Sequence, residues 1–312
     1  MMDTPDMHDA SDTRFDRRRF GTAGLQAMLA AAASPLLPGV AASATATATR
    51  PPPGRTTPAG AVAAGAERDL ARRHADPGVE LLDYLRVNGD LEGSLSPWLW
   101  HGAMIAITPT DNPRVLFACE GCETKKVVRR DNDHWEVWSK VMTCFKDPQT
   151  LEILNDREFV NPITGRTVRV APNVIGSRSL LSVDGSGAIR MRPVDTPQAP
   201  GVVLTSRWVR NGDMVQHSVS RKLPEKRPIP LGEWSTATVS LDELFDSRLA
   251  RVEAVFASTF IAPWQPFLDM AQQPGHAVWH AVGRKTRGFH EVSPEYLEQA
   301  RRYIPDVLAW DP

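Results

Sequence analysis

Residues 117–124 read FACEGCET, a C-x-x-C spacing that elsewhere holds a metal or runs a redox switch. Cys119 and Cys122 have one further thiol to draw on, Cys144. A zinc site takes about four ligands, so Cys144 and a histidine such as His101 or His134 would have to join the pair. A thioredoxin-like pair needs a helix N-terminus after a strand, whereas the following residues, ETKKVVRR, read as strand. In a regular strand positions i and i+3 point to opposite faces, so the two thiols meet only if Gly121 supplies a bulge or turn. Packing thiols, a local disulfide and a metal site stay open as readings, and the pair is not taken as the active site.

Histidine offers acid–base chemistry near neutral pH without a large pKa shift. Six of the eight histidines fall in or beside β-rich segments: His101, His134, His217, His276, His280 and His290. In HAVWHAV, His276, Val278, His280 and Val282 share one face of a strand, and Ala277, Trp279 and Ala281 take the other. The catalytic candidates are His280 as general base with His101 as second choice, and Glu120 as its orienting group or acid. Arg207 or Arg284 would hold an anionic group. Trp100, Trp208 and His276 extend the ligand-binding surface. The stretch APWQPFLDMAQQPG (262–275) reads as a lid that brings Trp264, Phe267 and Met270 to the ligand. Neither G-x-S-x-G, nor a phosphate loop, nor a G-x-G-x-x-G after a strand occurs, so the expectation is chemistry without cofactor or metal.

The elements that must position these groups are strands. From Trp98 the chain runs through short segments rich in β-branched and aromatic residues, among them WLWHGAMIAI, HWEVWSKVMTCF and HAVWHAVGRK, several alternating in period two. Asn-Gly at 211–212 sits between VVLTSRWVR and DMVQHSVSRK, which suits a type I′ hairpin. About ten strands at turn spacing without alternating helices indicate an all-β antiparallel barrel, calycin- or lipocalin-like. Two short helices precede it, AERDLARRHADP and VELLDYLRV. A C-terminal helix starts at Ser293-Pro294-Glu295 and carries Tyr296, Leu297, Ala300 and Ile304 on one face, to close an end of the barrel or lie along its wall.

The N-terminal region carries a different signal. Arg17-Arg18-Arg19-Phe20, an alanine-rich run from Gly21 to Val40 and Ala42-Ser43-Ala44 resemble a twin-arginine export signal, which makes the export machinery a partner and the periplasm the destination. Residues 1–44 are then a leader, 45–65 a Pro/Ala/Thr/Gly linker, and 66–312 a single barrel domain. Pro35 and Pro38 interrupt the run, so a permanent membrane span is not expected. With 36 Lys+Arg against 37 Asp+Glu, nothing favours nucleic acid.

Three separated stretches resemble the family described as domain of unknown function 1838, mostly exported bacterial proteins. They are Asp147, Pro148, Thr150, Glu152 and Leu154; Asn161, Pro162, Thr164 and Gly165; and Pro263, Trp264, Met270, Pro274 and Gly275. The resemblance covers about residues 80–310 and implies no settled chemistry. The functional expectation is a barrel that binds a small hydrophobic or aromatic molecule and transforms it by His/carboxylate chemistry, as a cofactor-independent lyase, isomerase or hydrolase. The alternatives are a periplasmic carrier that leaves the molecule unchanged, and a structural barrel with no ligand.

Overall fold

The computed structural model of the protein describes residues 69–195, 201–222 and 232–305, so the expected leader and linker lie outside the described residues. The strands, in chain order, are β1 Ser96–Ile107, β2 Arg114–Arg129, β3 His134–Lys146, β4 Glu158–Val160, β5 Thr167–Arg169, β6 Asn173–Val183, β7 Ile189–Pro193, β8 Val202–Val203, β9 Thr205–Asn211, β10 Met214–Lys222, β11 Gly232–Ser240, β12 Ala254–Ala262 and β13 His276–Lys285. Eleven of them form one sheet in the order β8-β7-β6-β3-β2-β1-β13-β12-β11-β10-β9, and β4 pairs with β5 apart from it. All neighbours that pair in the sheet are antiparallel. The two ends of that order, β8 and β9, are parted in sequence by Leu204 alone, and Leu204 itself donates to the Ile189 carbonyl. The sheet therefore curls into a nearly closed antiparallel barrel, the all-β class expected from the alternation.

Among the described residues it is flanked by the helices α1 Pro77–Asn88, α2 Leu241–Phe245 and α3 Pro294–Tyr303. α1 begins where Asp76 caps the Gly78 N–H and proline occupies the first turn. Residues 69–73 form a preceding helical turn. α3 starts as its sequence indicates, with the Ser293 hydroxyl accepting from the Tyr296 N–H. It lies along the wall rather than closing an end. Tyr296, Ala300 and Ile304 pack over Cys122, Met142 and Cys144 on the outside of β2 and β3. There the buried Tyr296 hydroxyl accepts from the Cys122 N–H at 3.1 Å and donates to the Met142 carbonyl at 2.8 Å.

The 211–212 hairpin forms with a different centre. Asn211 pairs with Met214, which leaves Gly212 and Asp213 as the two turn residues. Gly212 has φ +65°, and Asp213 is not among the residues with positive φ. Glycine with positive φ at the first central position belongs to type II′, not the expected I′.

Along β2 the inward side chains are Phe117, Cys119, Glu123, Lys125 and Val127, with Gly121 between them, and these residues index the barrel from end to end. At the Val127 end α1 is the plug: Leu81, Tyr84 and Leu85 pack with Val127, Trp135, Leu181, Met191 and Val219. The plug is pinned from below by Lys285, whose ammonium donates to the Arg86, Val87 and Gly89 carbonyls at the helix C-terminus and to Val252. Burial pushes that ammonium down to about 6. At the Phe117 end the expected lid stretch is packed core. Trp264, Leu268 and Met270 join Phe117, Phe145 and Val170, with Phe267 in edge contact with both phenylalanine rings.

His217 of β10 is 2 % exposed, stacked on Trp208 at 3.9 Å between centroids, with Nε2 3.0 Å from the Ser206 hydroxyl. Burial, with the nearby His74, lowers its pKa to about 3 from an ordinary 6.5. The folded state thus keeps the imidazole neutral while the unfolded chain takes up a proton below 6.5. Its contribution is complete above that pH and is lost as pH falls toward 3. Denaturant titrations at pH 6.5 and 4.5 should show the wild type losing about 2 kcal/mol more than His217→Gln over that interval. Parallel losses in the two proteins would contradict the neutral, buried imidazole.

Candidate functional site

Between the two packed ends, at the level of Cys119 to Lys125, the lumen is hollow. A cavity of about 200 Å³ is bounded by Trp100, Val141, Phe256, Phe260, Trp279 and the two charged residues Glu123 and Lys125. Two smaller hollows of about 100 Å³ each reach from the same two charged residues toward Tyr84 and Asn88 of the plug. Glu123 and Lys125 therefore stand where three voids meet.

The pair is built by strand alternation, since residues two apart on β2 face the same way. The Lys125 ammonium lies 3.1 Å from Glu123, and their side chains are 17 % and 29 % exposed. Ser139, across the sheet on β3, donates its hydroxyl to Glu123 at 2.6 Å. Lys125 also donates to Asn88 Oδ1 at 3.4 Å and rests 5.3 Å from the Trp98 ring centre. Around this polar centre the wall is aromatic. Trp279 of β13 stands 5.5 Å from Phe145 at the boundary of the packed end, and among the described residues its buried indole N–H has no hydrogen-bond partner.

Trp100 lies in the lumen because its neighbours have no side chains. Its register partners are Gly121 on β2 and Gly283 on β13. A Cβ on Gly121 would come within 2.0 Å of the Trp100 ring, so glycine there is what seats the indole against the wall.

The thiols separate as a regular strand requires. β2 keeps register with β1 and β3 through residues 119–125, without a bulge at Gly121. Cys119 therefore belongs to the lumen cluster and Cys122 to the outer one beneath α3. All three cysteines are buried free thiols. Burial raises Cys119 and lifts Cys122 and Cys144 to about 12, which keeps them protonated and poorly reactive.

The structure gathers the residues singled out for acid–base work, but on the outer wall. His101 pairs with Glu120 and His280 with Ala103, and both histidines are exposed. The His280 Nδ1 lies 3.0 Å from the Thr259 hydroxyl. Glu120, 5 % exposed, is bound by Lys146. The two-face reading of HAVWHAV holds, with Ala277 and Trp279 turned inward onto the Phe117 cluster, while His280 borders the hollow at its edge. Arg284 is also on the outer wall, 2.5 Å from Glu291, and His276 shares that face. Trp100 lines the hollow, while Trp264, Phe267 and Met270 form the packed floor beneath it. Arg207 and Trp208 line a separate open groove of about 460 Å³ with His74 and Glu80. That groove is larger, but the Trp208 N–H is already given to Glu80 at 3.1 Å and its ring to His217. The lumen hollow, with its aromatic wall, is the better binding geometry. Among the described residues no group of His, Cys, Asp or Glu is placed to hold a metal ion.

Glu123, Lys125, Ser139 and Trp279 are the residues that sequence reasoning passed over. The available signal was parity: the face of β13 bearing Ala277, Ala281 and Gly283 beside Trp279 is small enough to leave room for a guest, whereas the histidine face carries valines.

The signature turns resolve as backbone devices at the floor end. Asp147 accepts the Gln149 and Thr150 N–H groups at 2.8 Å each, and Asn161 accepts from Ile163 and donates to the Leu268 carbonyl. Neither a curated protein nor a solved structure matches the chain. Residues 94–177, which run from β1 into β6 and include Trp100, Glu123, Lys125 and Ser139, match the family model described as protein of unknown function (DUF1838), the family that the sequence signatures resemble.

Proposed function

We propose that the protein is an exported binding protein that holds a small hydrophobic or aromatic molecule in the barrel lumen. The observation that carries this reading is the Glu123–Lys125 pair standing in an aromatic-walled hollow. Two charges drawn partly out of water, at 17 % and 29 % side-chain exposure, cost more than a well-packed apolar layer, so a barrel without a guest has little use for them at that level. The carrier reading is favoured over catalysis by His280, His101 and Glu120, because strand alternation puts their side chains on the face opposite Trp279, Trp100 and Cys119, and only His280 reaches the edge of the hollow. Export and a periplasmic destination rest on the Arg17-Arg18 leader and the A-x-A site. Among the described residues no helix is long and apolar enough to cross a membrane.

Native mass spectrometry of the protein isolated from an exporting host tests the binding reading. The expected result is a retained small-molecule adduct that is absent from Ala281→Phe, whose added ring fills the hollow. Wild-type protein that carries no adduct and shows no thermal shift with 2-methylnaphthalene would overturn it.

A further inference from the structure

We infer that the guest presents a neutral group that both donates and accepts hydrogen bonds, a hydroxyl or primary amide on an aromatic body, to the Glu123–Lys125 pair. The inference rests on the lumen-binding reading and narrows it to a ligand class.

The pair has hydrogen-bonding capacity that the protein leaves unsatisfied. An ammonium has three N–H donors, and Lys125 gives one to Asn88 while it stands in an ion pair 3.1 Å from Glu123. A carboxylate offers about four acceptor positions, and Glu123 accepts from Ser139 beside that ion pair. The pair therefore keeps one donor and spare acceptor positions side by side at the junction of the three hollows. A hydroxyl or amide completes both: its oxygen accepts from Lys125 and its hydrogen goes to Glu123. An anionic head would gain Lys125 but lie against the Glu123 carboxylate, and a cationic head would meet the reverse conflict. Among the described residues the lining holds no second lysine or arginine to balance it, and His280 at the edge already meets the Thr259 hydroxyl, so a carboxylate guest is disfavoured. The rest of the hollow, with Trp100, Phe256, Phe260 and Trp279, suits a flat apolar body.

Calorimetric titration with 2-naphthol, 2-methylnaphthalene and 2-naphthoate, which share one body and differ in the head, tests this. The account expects 2-naphthol to bind at least about tenfold tighter than the other two, the usual gain of a hydrogen bond to a charged group. In the double variant Glu123→Leu/Lys125→Met, which removes both charges together, the preference for 2-naphthol over 2-methylnaphthalene should disappear while 2-methylnaphthalene still binds. Equal wild-type affinity for 2-naphthol and 2-methylnaphthalene overturns the head-group inference and leaves lumen binding standing. Tightest binding of 2-naphthoate overturns it in favour of an anionic guest. Binding of none of the three by a protein with an intact folded spectrum overturns the lumen-binding reading itself.

Discussion

Asp83→Ala is expected to destabilise the protein by about 3–5 kcal/mol, because it removes the anion from a buried cluster of cations. Asp83 is 0 % exposed and 3 % remains for Arg86. Its carboxylate accepts from Arg73 at 2.6 and 2.7 Å, from Arg86 at 3.0 Å, and lies 2.9 Å from His74 Nε2. Burial alone would raise this carboxyl, but the hydrogen bonds from Arg73 and His74 outweigh it and hold the pKa below the ordinary value. Arg86 spends its other donors on the Leu244, Glu243, Asp246 and Leu249 carbonyls, so it cannot turn out to solvent without releasing α2. Removing Asp83 leaves that guanidinium buried and uncompensated, and it frees the helical turn at 69–73 from the plug. Denaturant unfolding monitored by tryptophan fluorescence should show the full loss, with Asp83→Asn recovering part of it through its remaining acceptor. A loss below about 1 kcal/mol, the scale of a surface pair, would show that the cluster is not buried in solution.

Gly121→Val is expected to cost about 1–3 kcal/mol, the range for forcing extra atoms into a close-packed contact. The added Cβ would lie 2.0 and 2.1 Å from two atoms of the Trp100 ring. Trp100 has little freedom to yield, since Gly283 on its other side is equally close-packed: a Cβ there would meet the Trp100 Cβ at 2.7 Å. The cost therefore belongs to the pair of residues. In a Trp100→Ala background the same glycine substitution should lose at least about 1 kcal/mol of its penalty, a coupling within the range for contacting residues. Additive effects in that cycle would mean that the indole does not lie over Gly121.

These two sites mark how far the chain could be read without coordinates. The alternation in HAVWHAVGRK and HWEVWSKVMTCF gave the strands and their two faces, and Ser293-Pro294 gave the start of α3, because those signals are local. Which face looks inward is not local. On β2 both parities carry apolar residues, one set for the lumen and the other for the underside of α3, so Cys122 and Cys119 read alike although they end in different clusters. On β13 the histidines drew attention as chemistry, yet the inward face is set by the need for small residues around Trp279 and Trp100. The hairpin at Gly212 shifted by one residue because pairing extended to Asn211. The lid stretch 262–275 was legible as a segment that must bury Trp264 and Met270, but whether it buries them against a guest or against Phe117 and Phe145 depended on the far strands. Glu123 and Lys125, in a run of polar residues ending ETKK, looked like a solvated strand until the barrel closed around them.

The claim at the centre is that the hollow beside Glu123 and Lys125 receives the guest. The most direct measurement is a ¹H–¹⁵N spectrum of the folded protein followed through a titration with 2-naphthol, read at the tryptophan indole cross-peaks. Trp100 and Trp279 line the hollow, while Trp138 lies on the outer wall 4.5 Å from the Arg178 guanidinium. The account predicts saturable shifts of the Trp100 and Trp279 signals with Trp138 unmoved. Shifts confined to Trp138 or to Trp208 in the separate groove, with Trp100 and Trp279 unmoved at saturation, would contradict it.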